Sequence, residues 1–135
     1  MLFIPGEWLQ KVQTDALDNV NTTYNNVTTS ANSQDIYCGW FKTFRLSYTL
    51  DSGGTGAHTI QFIIQGKDSS GNYFDMLDDA WGLYKMEDTN YATALNESYS
   101  GHLRGASTIR VRVVATGTSA TLTFVITNMK LELQT

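Results

Sequence analysis

Strict two-residue alternation is what most restricts the folds open to this chain. Residues 43–50 read TFRLSYTL, which puts Phe44, Leu46, Tyr48 and Leu50 on one side of an extended backbone and Thr43, Arg45, Ser47 and Thr49 on the other. On a helix the same four apolar residues would point to two opposite sides, so the segment predicts a strand with one buried face. The pattern recurs. TIQFIIQ, residues 59–65, sets Ile60, Phe62 and Ile64 inward and leaves Ile63 on the opposite face, and TIRVRVVA, residues 108–115, sets Ile109, Val111 and Val113 inward with Arg110 and Arg112 outward. TLTFVI places Leu122, Phe124 and Ile126 inward, and MKLEL places Met129, Leu131 and Leu133 inward. Between those two runs the alternation loses one residue at Asn128, which predicts a bulge or bend there.

Turn chemistry separates the strands: DSGGTGAH at 51–58, DSSGN at 68–72 and the polar stretch at 116–120. Residues 18–33, rich in Asn and Thr with Val20, Tyr24 and Val27 as the only large anchors, read as one or two edge strands flanked by loops. Residues 7–17, EWLQKVQTDAL, suit a short helical turn or an irregular segment. The interval 78–104 is the least regular and is expected to be a long connection carrying short strands around Trp81 to Tyr84 and Thr93 to Leu95. Short alternating strands with Gly-rich turns predict an all-β fold, an antiparallel β-sandwich of jelly-roll type with about eight strands. At 135 residues there is room for one such domain, here 18–135, preceded by an N-terminal arm or first strand at 1–17.

Charge narrows the partners. The net charge is −4 and the nine basic residues are scattered, so no footprint for nucleic acid exists. No apolar run approaches the length of a membrane span, and the first run, Met1 to Ile4, is broken at once by Pro5-Gly6 without a basic flank, so neither an anchor nor an export signal is expected. The single Cys38, in an apolar and aromatic stretch, is expected to be buried and inert.

Catalytic chemistry finds little to work with. His58 falls in a turn and His102 in a loop, both read as solvated, and no serine or cysteine has a nucleophile setting. Asp75, Asp78, Asp79, Glu87 and Asp88 concentrate acid but are sequence neighbours rather than an opposed pair. The run Asp68-x-Ser70-Gly71-Asn72 is superficially similar to a calcium loop, yet the twelfth position holds Asp79 in place of the bidentate Glu. The expectation is a chain that is not an enzyme and takes no cofactor or metal.

Aromatic residues are the richer set, three Trp and seven Tyr. Exposed rings stack on sugars and anchor protein interfaces. Trp40, beside Cys38 and Phe41, is expected at the core or its edge, whereas Trp81, Tyr84 and Tyr91 in the irregular interval are the candidates for sugar contact. At the N-terminus, Leu2, Phe3 and Ile4 followed by Pro5, with Trp8 beyond, form an apolar arm that suits a neighbour's surface or its own sheet edge. Ordering such an arm costs about 1 to 2 kcal/mol per residue, and burying each large side chain returns about 1.5 to 3 kcal/mol. A single arm therefore binds weakly, and repetition on a particle or exchange within an oligomer makes it firm.

The segment TIQFIIQGKDSSGNYFDML resembles a hairpin of small phage structural proteins, carried here by Gln65, Gly66, Asp68, Gly71, Asn72, Tyr73 and Leu77. CGWFKTFRLSYTL is similar to the strand before it, and VRVVATGTSATLTFVITNMKLEL to the closing hairpin, so the resemblance spans residues 35–135. The family includes head decoration, or cement, proteins of tailed bacteriophages, with jelly rolls similar in shape to carbohydrate-binding modules. A Trp is common where Tyr73 stands, and residues 1–34 match nothing in that pattern. The resemblance implies a virion structural protein on the capsid exterior, assembled in the host cytoplasm, with the major capsid protein as partner and a homo-oligomer, dimer or trimer, as its state. Leu2, Phe3, Ile4, Pro5 and Trp8 would make the capsid or subunit contact. The alternative is a carbohydrate-binding module or phage adhesion protein with a glycan partner.

Overall fold

The computed structural model describes residues 10–25, 29–53, 58–77, 84–89, 95–117 and 123–135. Among them lie eleven strands: β1 (Gln10–Gln13), β2 (Thr23–Asn25), β3 (Thr29–Asn32), β4 (Ile36–Tyr37), β5 (Thr43–Gly53), β6 (His58–Lys67), β7 (Tyr73–Asp75), β8 (Lys85–Thr89), β9 (Leu95–His102), β10 (Thr108–Gly117) and β11 (Thr123–Gln134), with a 3₁₀ turn at Asp15–Leu17. They form two antiparallel sheets. One has five strands in the order β1-β11-β5-β9 with β2 also on β11; the other has six in the order β3-β10-β6-β7 with β4 on β10 and β8 on β6. Among the described residues no helix is long and apolar enough to cross a membrane.

The alternating residues supply the core as expected. Phe44, Leu46, Tyr48 and Leu50 from β5 meet Ile60, Phe62 and Ile64 from β6 and Ile109, Val111 and Val113 from β10, all buried. Tyr48 stacks on Phe62 across the sheets with ring centroids 4.0 Å apart. Ile63, on the far side of β6, is also buried. Ile126, Met129, Leu131 and Leu133 face inward from β11, and the register against β5 shifts between Thr127 and Lys130. Asn128 sits in that shift with φ +55°, the left-handed conformation that Asn tolerates, so the predicted bulge is present. Leu122 lies outside the described residues. Cys38 is buried, as expected, and its thiol donates to the Ala106 carbonyl at 3.2 Å.

Residues 10–17 belong to the sandwich: β1 pairs with Lys11↔Leu133 and Val12↔Glu132, and Leu17 and Ala16 are buried in the core. The expected edge strands in 18–33 are β2 and β3. The described part of the interval 78–104 is more regular than its sequence suggests. Leu95–His102 pairs with β5 over eight residues, from Leu50↔Leu95 to Thr43↔His102. Its outward side chains Asn96, Ser98 and Ser100 are exposed, and the inward ones include Glu97 and Gly101, so no hydrophobic alternation marks it. His102 consequently closes a strand rather than lying in a loop, and His58 opens β6 opposite Gly117 rather than sitting in a turn.

One end of the sandwich collects several chain features. In the five-stranded sheet its last row is Gln10, Gln134, Thr43 and His102. In the six-stranded sheet the matching rows hold Tyr37 opposite Thr108 and Tyr73 opposite Lys67. Residues 38–42 and 103–107 cross between the sheets here, tied by Cys38 N–H to Ser107 O at 2.8 Å, Leu103 N–H to Lys42 O at 2.7 Å and Lys42 N–H to Gln134 O at 2.9 Å. We refer to it as the open end.

Candidate functional site

Two surfaces of the six-stranded sheet meet at the open end. The first is its outer face. Antiparallel pairing sets Arg110, Gln65 and Asp75 side by side in one row and Lys67 beside Tyr73 in the next. Arg110 Nε donates to Gln65 Oε1 at 2.8 Å, and Gln65 Nε2 donates to Asp75 Oδ1 at 2.8 Å. The Arg110 guanidinium lies 3.4 Å from the Tyr73 ring centroid, a close cation–π contact. Tyr73 donates its hydroxyl proton to Asp35 Oδ1 at 2.5 Å, and Lys67 Nζ reaches Asp35 Oδ2 at 2.9 Å. The Tyr73 hydrogen bond first, then Lys67, hold the Asp35 carboxyl below the usual carboxylate range; Asp35 in turn raises Lys67. The result is a ring held by the Arg110 guanidinium, with Lys67 also near it, among donors and acceptors fixed in direction and able to hydrogen-bond a polyhydroxylated ligand.

The second is a set of exposed apolar side chains that do not form one patch: Tyr37 shares the outer face with Tyr73, whereas Phe74 faces the other side of the sheet beside Gly66. Trp40 is 79% exposed, Tyr37 57%, Phe74 48% and Leu77 38%. Tyr37 lies flat because Gly39 lets it: a Cβ at Gly39 would sit 2.6 Å from the tyrosine oxygen. Phe74 lies across Gly66 in the same manner, with ring atoms 2.7 to 3.2 Å from where a Cβ would be. Between β7 and residues 103–107 runs a groove of about 690 Å³. Phe74, Leu77 and Ala106 give it exposed apolar surface, Met76 and Leu103 line it but are almost wholly buried, and Lys67, Asp68 and Asp75 line it too, with Arg104 on the lip formed by residues 103–107. Arg104 and Gly105 both have positive φ, 51° and 79°, which turns the chain sharply enough to form that lip.

The sequence-predicted residues fare unequally. Leu2, Phe3, Ile4, Pro5 and Trp8, and likewise Trp81 and Tyr91, lie outside the described residues. Tyr84 is a correction: it is buried, meets Phe44 and Tyr99 edge to face at centroid distances of 5.4 and 6.4 Å, and its hydroxyl accepts from the His102 N–H at 3.0 Å, so it offers no ring to a sugar. Trp40 is the opposite correction. Cys38 takes the inward place, the chain turns at Gly39-Trp40, and the indole is left in water. Asp68 spends its Oδ1 on the backbone N–H groups of Ser70 and Asn72 at 2.9 Å each, the geometry of a side-chain-closed turn. Among the described residues no three His, Cys, Asp or Glu side chains gather as a metal site would require. Tyr37, Phe74 and the Arg110–Tyr73 pair were not singled out by sequence as contacts; an aromatic opposite a strand glycine, Phe74 against Gly66, was the available signal.

No protein-family model and no curated protein matches the chain. Solved structures do match its fold. TmCBM61, solved in complex with beta-1,4-galactotriose, aligns at TM-score 0.52 and 12% identity over 93% of this chain and 83% of that one. A family 4 carbohydrate-binding module aligns at TM-score 0.51 and 16% identity, covering 78% of this chain and 61% of that one. The enzymatically active domain of tailspike protein 4 from bacteriophage CBA120 aligns at TM-score 0.50 and 13% identity over 92% of this chain. The chain is a jelly-roll β-sandwich resembling carbohydrate-binding modules. It spans 61% of the family 4 module's length and 17% of the tailspike domain's, and at these identities the likeness is one of fold.

Proposed function

We propose that this chain is a virion structural protein, a capsid decoration or cement protein that binds the shell of major capsid protein through its open end and catalyses nothing. The observation that carries the reading is that the large apolar side chains most exposed among the described residues, Tyr37, Trp40, Phe74 and Leu77, all come from segments at or next to the open end. Exposed aromatics of this kind are what protein interfaces concentrate at their anchors. The hairpin resemblance at residues 65–77 supports the phage setting. Leu2, Phe3, Ile4, Pro5 and Trp8 precede β1, whose first residue Gln10 stands at the open end. Repetition over a symmetric shell turns a weak single contact into firm attachment. The place of action is then the capsid exterior, after assembly in the host cytoplasm. Co-sedimentation of the purified chain with empty shells tests this: Trp40→Ala is expected to weaken binding at least tenfold, and unaltered binding overturns the reading.

A second reading, glycan binding, is favoured by the outer-face cluster of Tyr73, Arg110, Gln65, Asp75 and Asp35, and by a fold shared with modules of which one was solved with a galactotriose. Tyr37 and Tyr73 stand three strand spacings apart, about 14 Å, a span suited to a short oligosaccharide. A glycan array with hits abolished by Tyr37→Ala or Tyr73→Ala, together with no affinity for shells, would replace the first reading by this one.

A further inference from the structure

Phe74 lies flat in the groove between β7 and residues 103–107. A Cβ placed at Gly66 would stand 2.7, 3.1 and 3.2 Å from its Cζ, Cε2 and Cε1, and the near equality of the three puts that point over the face of the ring rather than off its edge. One face is therefore packed on the β6 backbone, and the 48% of Phe74 left in water belongs to the other. A ring held this way is a platform on which a second ring can stack.

Polar groups already fixed in direction stand around it. Asp68 Oδ1 is spent on the N–H groups of Ser70 and Asn72 at 2.9 Å each, and Asp75 Oδ1 accepts from Gln65 Nε2 at 2.8 Å. Both residues line the groove, and the Oδ2 of each has no partner among the described residues. That combination selects the occupant. An apolar segment laid on Phe74 would strip water from two carboxylate oxygens and offer them nothing in return. A ring with one apolar face and hydroxyls at its rim covers Phe74 and donates to both oxygens in charge-assisted hydrogen bonds. Charge points the same way: Lys67 and Arg104 balance Asp68 and Asp75 in formal charge, and Lys67 is already held by Asp35 at 2.9 Å, so an anionic ligand has no surplus cation to meet. The groove, about 690 Å³, has the size of a small-ligand site.

We propose that this groove is a binding site for a neutral sugar, one ring of which stacks on Phe74 while Asp68 and Asp75 accept from its hydroxyls. The site lies at the edge of β7, apart from the outer-face cluster around Tyr73, with Asp75 the residue common to both. It goes beyond the glycan reading of that cluster and leaves Tyr37 and Trp40 to contact a shell.

Nuclear magnetic resonance titration of the isotope-labelled full chain with the trisaccharides of glucose, galactose, mannose and xylose tests it. At least one is expected to saturate with a Kd of about 1 mM or tighter, shifting the amides of Phe74, Asp75, Gly105 and Ser107. Phe74→Tyr, which keeps the flat ring, is expected to retain binding, whereas Phe74→Leu, apolar but not flat, is expected to weaken it about tenfold. Asp68→Asn keeps the turn through its Oδ1 and puts an amide N–H in place of the open oxygen, so a severalfold loss is expected in a variant whose fold is undisturbed. Absence of binding by all four sugars, equal binding by Phe74→Leu, or tighter binding of the galacturonate trisaccharide than of its neutral counterpart would overturn the inference. Shifts confined to Tyr37, Tyr73 and Arg110 would reject the groove and keep the outer-face reading; shifts confined to the groove would keep this inference and reject that reading.

Discussion

Inside the sandwich Phe44, Tyr84 and Tyr99 meet edge to face and Tyr48 stacks on Phe62, whereas at the open end Tyr37 and Trp40 keep more than half their surface in water. The two groups of rings do opposite jobs with the same chemistry. The inner rings lose water on both faces and contribute to stability whatever the chain binds. The outer rings lie on glycine or at a turn, and folding leaves most of their apolar area in water. Tyr73 stands between the groups: it is on the surface, yet a guanidinium and a carboxylate already occupy it.

Substitutions separate the two groups by size of effect. Phe62→Ala, which empties the stack beneath Tyr48, is expected to cost about 3 to 5 kcal/mol in chemical denaturation. Arg110→Ala removes the cation over Tyr73 and the donor to Gln65, and a loss of about 1 to 2 kcal/mol is expected by the same measurement. Tyr84→Phe keeps the ring and deletes only the acceptor for the His102 N–H, for about 1 kcal/mol. Asp35 gives a pH signature. Its pKa is lowered on folding, so its contribution is complete above the ordinary carboxylate pKa of about 4 and is lost as pH falls through the folded value. The melting temperature of the unaltered chain should therefore exceed that of Asp35→Asn at pH 7, and the gap should close in acid. Trp40→Ala should be the smallest, within about 0.5 kcal/mol; a larger loss would move Trp40 into the structural group.

The inner group was legible in the sequence because burial on one face writes itself as period two. Phe44, Tyr48 and Phe62 each fall on an apolar stripe, and even the bulge at Asn128 shows as a skipped beat. The outer group was not. Trp40 sits in IYCGWF, where every neighbour is apolar or small, and nothing local says that Cys38 rather than Trp40 takes the inward place. Tyr84 misleads in the other direction: its segment lacks alternation, yet it is buried against Tyr99 on β9 and Phe44 on β5, the latter forty residues earlier in the chain. The Arg110–Tyr73 contact depends on β7 and β10 flanking β6 on opposite sides, a fact of topology that no spacing encodes.

The bulge at Asn128 has a bearing on how the sheet is assembled. Strand β11 is in effect two half-strands in opposite phase, the first buried through Ile126 and the second through Met129, Leu131 and Leu133, while β5 runs beside both without interruption. Sliding β11 along β5 by two residues, the error that leaves ordinary alternation intact, would carry the phase break away from Asn21, whose Oδ1 accepts from the Met129 N–H at 3.3 Å. The break thus acts as an index mark: the longest ladder among the described residues has only one alignment in which both halves are in step.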